Sequence, residues 1–376
     1  FSFSETYLSL NLYGESGSAG FPVPNPNVMA EQKIKTGVAA FGMSGSVFHA
    51  PFLDLHEGLE LCGVVERSKD RRRQHYPYVK TVRSFGELLA DPELELIVVN
   101  TPHPTHYEYC KAALLAGKNV VVEKPFVFDP AQGEELKALA EKQGALLTVY
   151  QNRRWDSDFL TVRKVLDSGL LGRVVEFYSA YQRYRPVNPT TWKEKAEGRT
   201  GVTYDLGSHI VDQIVQLFGR PQGVWATVGK MRDGGQIDDY FNMRLIYPDV
   251  QVTARAGFVM REETSRFTIH GTAGSFVKYG LDVQEEALKR GEKPGSPGWG
   301  AEPESQWGVL NTEANGVHFR GKVESVPGNY MAYYDAVYET LRHGAAPTVG
   351  LDGVLDTLRV LDAAFRSSET RQVVWL

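Results

Sequence analysis

The charged residue of most interest in the first third of the chain is a lysine at the end of an apolar run. The run Asn119–Val122 is followed by Glu123, Lys124 and Pro125, and a proline there ends a strand because it fixes φ and lacks an N–H group. In open α/β sheets, ligands bind at the carboxyl ends of the parallel strands. We therefore expect Lys124 to face a ligand crevice and to take part in chemistry rather than to solvate a surface.

A second reactive pair, Asp205 and His209, lies about 80 residues further on and is followed by apolar residues at helical spacing. On a helix, positions i and i+4 share a face, so both side chains would project together. A carboxylate beside an imidazole suits a general base that accepts a hydroxyl proton near neutral pH. The alternatives are a carboxylate that only stabilises its own helix, and a metal site, which is weaker because a third ligand is missing.

A glycine-rich turn ends the first apolar run of the chain. Gly42 and Gly45 match the last two glycines of the dinucleotide fingerprint G-x-G-x-x-G, whose first position is Ala40 here. The first glycine of this pair lets the backbone approach a pyrophosphate, and the helix that follows offers N–H groups and a positive dipole end. The turn therefore predicts a dinucleotide site, although glycines in such turns can also be purely structural.

The residues after the second apolar run give conflicting signals about which dinucleotide binds. Glu66 stands where an acid would bind the ribose hydroxyls of NAD. Arg67, Ser68 and the basic run Arg71–Arg73 follow at once, and such a cluster suits the 2′-phosphate of NADP or is simply a solvated loop.

The elements that must position these residues alternate between strand and helix up to Tyr150. Strands are predicted at Ile34–Phe41, Leu59–Val65, Glu95–Asn100, Asn119–Val122 and Ala145–Tyr150. They are runs rich in Val, Leu and Ile rather than in-out alternations, as in a sheet covered on both faces. Helices are predicted from about Pro104 to Ala116, and after Asp129 as N-cap with Pro130 at the first position. This alternation predicts a doubly wound parallel (Rossmann) sheet.

After Tyr150 the pattern changes to longer strands with fewer helices. Strands are predicted at Arg173–Tyr184, Gly223–Met231, Asp239–Tyr247, Val250–Val259 and Arg266–His270, and helices at Asp156–Ser168, Tyr330–Arg342 and Gly353–Ser367. This pattern predicts an α+β domain with a large, mostly antiparallel sheet. We expect an N-terminal extension or arm at 1–32, a dinucleotide-binding domain at 33–150, and a domain for substrate binding and oligomerisation at 151–376.

Composition limits the class of protein. The net charge of −5 gives no electrostatic case for nucleic acid or an anionic membrane. No apolar run approaches the ~18 residues that span a bilayer, and the two cysteines suit reduced thiols in a cytoplasmic protein. The first 28 residues lack Lys and Arg and precede Met29, so we expect an added or non-catalytic segment there.

The motifs, in this order and spacing, resemble the glucose–fructose oxidoreductase / inositol dehydrogenase (Gfo/Idh/MocA) family. The resemblance is carried by Gly42-x-x-Gly45, Thr101-Pro102, Glu123-Lys124-Pro125 and Asp205-x-Gly207-x-His209-x-x-Asp212. Three segments are similar to its scyllo-inositol 2-dehydrogenase-like branch: Ser44–Pro51, Gln151–Asp156 and Arg183–Pro186. The chain departs from the family pattern at Ala40 and at His103, where many relatives carry Asn.

The resemblance implies hydride transfer between a CH–OH carbon of a cyclic polyol or sugar and a nicotinamide cofactor. It implies His209 as general base, Asp205 as the group that orients it, and Lys124 as a donor to the reacting oxygen. The implied cofactor contacts are Phe41, Gly42, Met43, Ser44, Gly45, Glu66, Arg67, Ser68, Thr101, Glu123 and Trp192. Arg153 and Tyr184 are expected to bind substrate hydroxyls. No metal is expected.

Other interpretations stay open at this point. The family also contains NAD-dependent glycosidases that use transient oxidation, and non-catalytic dinucleotide-binding regulators. Arg153, Tyr184 and Trp192 could be a salt-bridged arginine, a core tyrosine and a packed tryptophan. On the cofactor, Arg67, Ser68 and the branch resemblance favour NADP over NAD. In the family that this chain resembles, a free face of the second sheet forms dimers or tetramers, so the resemblance implies a homodimer or homotetramer.

Overall fold

The first part of the chain is built around a parallel sheet. The computed structural model describes residues 32–188, 194 and 201–376. The strands of this sheet are β1 (Ile34–Val38), β2 (Leu59–Val65), β3 (Lys80–Val82), β4 (Leu96–Val99), β5 (Asn119–Val122) and β6 (Leu147–Val149). Within the described residues they lie in the order β3-β2-β1-β4-β5-β6, with every pair parallel. The order reverses between β1 and β4, which opens a crevice at their carboxyl ends.

Helices cover both faces of this sheet. They are α1 (Ala50–Leu55), α2 (Phe85–Leu89), α3 (His106–Leu115) and α4 (Pro130–Gln143). Helix α4 begins as predicted: the Asp129 carboxylate accepts the N–H of Ala131 at 2.9 Å, and Pro130 is the first residue. Gly144, at φ 61°, ends it in the left-handed conformation that glycine adopts without strain.

The five strands predicted for this part are all present, but some of them begin or end at other residues than predicted. Leu59–Val65 and Asn119–Val122 are confirmed at both ends. The first strand ends at Val38, because the chain turns there into the glycine-rich segment. Strand β3 is three residues long, too short to produce a period-2 pattern in the sequence.

The second part of the chain forms a larger, mostly antiparallel sheet. Its strands are β7 (Val174–Gln182), β8 (Gly223–Gly229), β9 (Tyr240–Ile246), β10 (Gln251–Gly257), β11 (Phe267–Gly271), β12 (Gly274–Lys278), β13 (Gly308–Ala314), β14 (Val317–Val323) and β15 (Val374–Trp375). Across the described residues the order is β14-β13-β12-β11-β7-β10-β9-β8-β15. Strands β7 and β10 pair in parallel, and the other neighbours are antiparallel.

Among the described residues, helices α7 and α10 pack on one face of this sheet, and no described helix covers the other face. The helices of the second part are α5 (Ser157–Asp167), α6 (Val202–Asp205), α7 (Gly207–Phe218), α8 (Gln284–Lys289), α9 (Met331–His343) and α10 (Leu351–Thr370). Helix α10 packs on β8 and α7 on β10. In β8, Val224 and Ala226 face these helices and are buried, whereas Trp225 points the other way and is 42% exposed.

The C-terminal helices return to the first sheet. Lys137 of α4 is paired with Asp352 of α10, and Thr148 of β6 donates to the carbonyl of Val349. The ring of Phe52 in α1 stacks on Tyr334 of α9. The two sheets are therefore joined by packing as well as by the chain.

Candidate active site

Lys124 leaves the carboxyl end of β5 and pairs with Asp205. Its Nζ donates to Oδ1 and to the carbonyl oxygen of Asp205, each at 2.9 Å, and both side chains are mostly buried. An ammonium group has three N–H donors. Among the described residues, no protein acceptor takes the third one. This donor is available to an oxygen atom of a ligand.

Asp205 is held in place by the start of its helix. Residue Asp238 accepts the N–H of Thr203 through Oδ2 and the N–H of Val202 through its carbonyl, both at 2.8 Å. A Cβ at Gly201 would lie 1.8 Å from Asp238, so only glycine permits this approach. Helix α6 therefore starts against Asp238 and ends at the lysine.

His209, in the first turns of α7, is buried and uncharged at neutral pH. Burial lowers its pKa well below 6.5, and the charges of Lys124 and Arg153 act in the same direction, while Asp205 opposes them. Its Nδ1 has no hydrogen-bond partner within the described residues. The imidazole can accept a proton, and the orienting role expected of Asp205 stays a prediction, since its carboxylate holds Lys124.

Helix α7 is fixed by buried polar contacts one turn after His209. Arg154 donates to both oxygens of Asp212, at 2.8 and 2.7 Å, and both residues are buried. Gln213 accepts from the buried Arg266 at 2.6 Å. A paired, hydrogen-bonded guanidinium in the interior fixes direction as well as charge. The aspartate of the motif at 212 is thus an anchor for the helix that carries His209.

Gly42 and Gly45 of the glycine-rich turn lack a side chain for different structural reasons. A Cβ at Gly45 would lie 2.2 Å from the carbonyl oxygen of Ala40, so the protein backbone leaves no room for a side chain at this position. A Cβ at Gly42 would meet nothing within 4 Å. The space in front of Gly42 is the kind of cradle that a phosphate group fills and a side chain would block.

Asn100 supports the turn where the fingerprint lacks its first glycine. Its Oδ1 accepts the N–H of Ala40 at 2.9 Å, and its Nδ2 donates to the carbonyl of the same residue at 2.7 Å. Both the N–H and the carbonyl group of Ala40 are therefore fixed by Asn100, the residue that follows β4.

Glu123 connects this turn to β5. Its Oε1 accepts from Ser44 Oγ at 2.5 Å and contacts His49 Nε2 at 3.1 Å, and its Oε2 accepts the N–H of Lys124 at 3.2 Å. Burial acts to raise its pKa, but the contacts to His49 and Ser44 and the charge of Lys124 outweigh it and lower the pKa to about 2. Glu123 is therefore an anion at neutral pH.

The loop after β2 contains an acid whose carboxylate is hydrogen-bonded and two exposed polar residues, Arg67 and Ser68. The buried Glu66 accepts the N–H groups of Arg71 and Arg72, at 3.0 and 3.3 Å. Arg67 and Ser68 are exposed, and neither side chain has a partner within the described residues. The Glu66 carboxylate is therefore engaged by the backbone of its own loop, whereas Arg67 and Ser68 face solvent.

Three of the remaining predicted contacts have partners within the protein, and one lies outside the described residues. Arg153 pairs with Asp156 at 3.2 Å and with Glu285. Tyr184 is 48% exposed and carries the guanidinium of Arg261 on its ring. Thr101 accepts from Thr105 at 2.6 Å. Trp192 lies outside the described residues.

Sequence reasoning missed His49 and Asn100. The segment that contains His49 is one of those that resemble the inositol branch, but its pairing with Glu123, 74 positions away, has no signature in spacing. Asn100 ends a predicted strand, and its amide gives no sign of its partner until the strand order is known. No group of His, Cys, Asp and Glu in the described part of the chain could hold a metal ion.

Together, the parallel sheet with its dinucleotide-type turn and the lysine and histidine at its carboxyl edge define a two-part, dinucleotide-binding oxidoreductase. Two family models match the chain: "Oxidoreductase family, NAD-binding Rossmann fold" over residues 34–151 and "Oxidoreductase family, C-terminal alpha/beta domain" over residues 163–376. The chain therefore belongs to the Gfo/Idh/MocA oxidoreductase family.

Several relatives are similar over most of the chain. The scyllo-inositol 2-dehydrogenase (NADP(+)) IolW of Bacillus subtilis is 38% identical over 343 residues, which are 91% of this chain and 96% of the relative. A solved oxidoreductase from Bacteroides fragilis is 50% identical, with a TM-score of 0.86 over 92% of this chain and 100% of that one. The trans-1,2-dihydrobenzene-1,2-diol dehydrogenase of Mus musculus is 30% identical over 223 residues, 57% of this chain and 65% of the mouse enzyme.

No helix within residues 32–188 or 201–376 has the length and apolar character needed to cross a bilayer. Cys62 and Cys110 are both free thiols.

Proposed function

We propose that this chain is an NAD(P)-dependent dehydrogenase that acts on a CH–OH carbon of a cyclic, inositol-like polyol or a sugar, with NADP as the preferred cofactor. The observation that carries the proposal is the unused N–H donor of Lys124 beside the uncharged imidazole of His209, at the carboxyl edge of a dinucleotide-type sheet. The similarity to an NADP-dependent inositol dehydrogenase supports the polyol as substrate.

The residues around the turn fit a dinucleotide. Gly42 leaves open space for a pyrophosphate, Arg67 and Ser68 would hold a 2′-phosphate, and Glu123 and Ser44 would border the nicotinamide end. When bound, a nicotinamide dinucleotide accepts or supplies the hydride.

The protein's own part is to bind the hydroxyl and to move its proton. In the oxidative direction, His209 accepts the hydroxyl proton as general base. Lys124 donates to the same oxygen and stabilises the negative charge that develops there. Asp205 holds the ammonium group through two acceptors, so that its third N–H points to the substrate. Arg153 and Tyr184 would contact other hydroxyls from the crevice and its rim.

The preference for NADP rests on the loop after β2. The carboxylate of Glu66 already accepts two backbone N–H groups, so a ribose hydroxyl would have to compete with them. Arg67 can pair with a 2′-phosphate at no such cost, and guanidinium–phosphate pairs are among the stronger hydrogen-bonded contacts.

The test is a panel of inositols, aldoses and ketoses, each incubated with NAD and NADP separately while the reduced nicotinamide is followed. We expect turnover with at least one inositol and a higher kcat/KM with NADP. The Lys124→Met variant is the control, because it should retain the dinucleotide and lose turnover. Dinucleotide binding without oxidation of any polyol or sugar would contradict the proposal, and cleavage of a glycoside without net reduction would support a glycosidase instead.

A further inference from the structure

Four hydrogen-bonded side chains form a continuous line from helix α9 to the glycine-rich turn. Tyr334 contacts Nδ1 of His49 at 2.7 Å, Nε2 of His49 contacts Oε1 of Glu123 at 3.1 Å, and the same oxygen accepts from Ser44 at 2.5 Å. Tyr334 and His49 are completely buried. We call these residues the Tyr334–Ser44 relay.

The direction of each hydrogen bond in the relay follows from its two ends. Burial raises the pKa of Tyr334 well above 10, so its hydroxyl keeps its proton and must donate it. Among the described residues, its acceptor is Nδ1 of His49. The proton of the ring therefore sits on Nε2 and is donated to Glu123, which also takes the hydroxyl proton of Ser44.

We infer that His49 and Tyr334 are positioning residues for the dinucleotide site, which act on it through Glu123 and Ser44. Glu123 and Ser44 stand at the edge of the turn, and His49 and Tyr334 stand behind them. His49 and Tyr334 can fix the positions of the Ser44 hydroxyl and the Glu123 carboxylate without touching a ligand themselves. The inference rests on the dinucleotide site of the proposed function.

The relay differs from ordinary packing between the same elements. His56, at the end of α1, also bridges to α9: its Nε2 lies 3.3 Å from Asp335, and its ring packs on Tyr338. That contact joins the two helices without touching Glu123 or the turn. His56 is therefore a matched control for His49.

The experiment measures the Kd of NADP and NAD by calorimetry without substrate, together with the thermal midpoint of each variant. We expect His49→Ala to raise the Kd about tenfold, because it removes a hydrogen bond to a buried anion. His49→Gln keeps one N–H donor and should bind more tightly than His49→Ala. His56→Ala should leave the Kd unchanged. A folded His49→Ala variant with a Kd equal to that of His56→Ala would overturn the inference.

A double-mutant cycle keeps the inference testable if His49→Ala does not fold. Ser44→Ala and Tyr334→Phe each remove one oxygen atom at opposite ends of the relay. Either change should weaken dinucleotide binding, and the double variant should be little worse than the weaker-binding single variant, because the relay is already interrupted. Fully additive effects on Kd would show that the two ends act independently.

The outcomes separate this inference from the proposed function. A wild-type chain that binds NADP but oxidises no polyol would contradict the proposed function and leave the relay intact. Unchanged Kd values in all relay variants would contradict the relay and leave the proposed function intact. A wild-type chain that binds neither dinucleotide would overturn both.

Discussion

Lys124 and His209 lie in different electrostatic surroundings. A carboxylate within 2.9 Å compensates the charge of Lys124, whereas burial keeps His209 neutral. A cation that donates and a neutral base that accepts are the two groups a hydroxyl needs in order to lose its proton. The charge of Lys124 acts on His209, so we expect the two groups to serve the same substrate hydroxyl.

The lowered pKa of His209 predicts an unusual pH profile. A general base works in its deprotonated form, so activity falls only as the pH drops through the pKa of the base. Since that pKa lies well below 6.5, we expect kcat for polyol oxidation to hold as the pH falls through 6.5 and to decline at lower pH. Steady-state kinetics at saturating substrate would check this, and a midpoint at or above 6.5 would contradict it.

Removal of the imidazole should separate chemistry from binding. We expect His209→Gln to lower kcat by roughly 10²–10⁴-fold while the Kd of the dinucleotide stays the same. His270→Gln is the control, because His270 is an exposed strand residue that contacts only Ser275 among the described residues. Turnover close to wild type in His209→Gln would exclude His209 as the base.

At the residue scale, the sequence indicated which side chains matter better than it indicated their partners. The position of Lys124 after an apolar strand was enough to place it at the crevice. Its contact to Asp205 joins residues 81 positions apart and depends on where α6 starts, which Asp238 decides. His49 carried no signal of its own, because its partners come from β5 and α9 and spacing cannot reveal them.

At the scale of the element, the two glycines of the turn between β1 and α1 have different surroundings. Backbone atoms fill the space beside Gly45, whereas the space beside Gly42 is open to a ligand. Gly45→Ala should destabilise the fold by about 2 kcal/mol or more, because its Cβ would lie 2.2 Å from a backbone oxygen. Gly42→Ala should change stability by less than about 0.5 kcal/mol yet raise the Kd of the dinucleotide. Urea unfolding and calorimetry on both variants would check this, and equal losses of stability would contradict it.

The loop after β2 predicts cofactor choice. Arg67→Ala should weaken NADP about tenfold or more, because it removes a charge-assisted pair with the 2′-phosphate, and should leave NAD nearly unchanged. The ratio of kcat/KM for the two cofactors is the measurement. Arg73→Ala, a change to an exposed arginine a few residues further along the same loop, is the control. A similar loss with both cofactors would place Arg67 away from the 2′-phosphate.

Elements were predictable where the sequence carried a strong apolar run or a cap. Strands β2 and β5 are rich in Val and Leu and were found at both ends, and the start of α4 was marked by its cap, Asp129, and by Pro130. Strands β12–β15 were not predicted: β14 is largely exposed and β15 has two residues, so neither has a strong apolar pattern. The parallel pairing of β7 with β10 depends on the order of strands, which local sequence does not encode.

At the scale of the whole molecule, the open face of the larger sheet predicts self-association. Trp225, 42% exposed, and the exposed Arg244 lie on the face without helices, and Trp375 at the adjacent edge is 66% exposed. Exposed tryptophans on an open sheet are typical of protein interfaces. We expect light scattering at micromolar concentration to give the mass of a dimer or tetramer.

A charge placed on that face should separate the subunits. Trp225→Glu should shift the mass towards that of the monomer, because a carboxylate in an apolar interface is costly to desolvate. Leu115→Glu, on an exposed apolar side chain of α3, is the matched control. A monomeric wild type would contradict the prediction, as would a Trp225→Glu variant with the wild-type mass.

The return of α9 to the first sheet has a consequence for biosynthesis. The sheet from β1 to β6 leaves the ribosome long before Tyr334 is translated, and until then His49 and Phe52 lack the partners that bury them. The hydrogen bond from Tyr334 to His49 can therefore form only after nearly the last helix has been made. We expect the proposed dinucleotide turn of a nascent chain to gain this support at the end of synthesis rather than at the beginning.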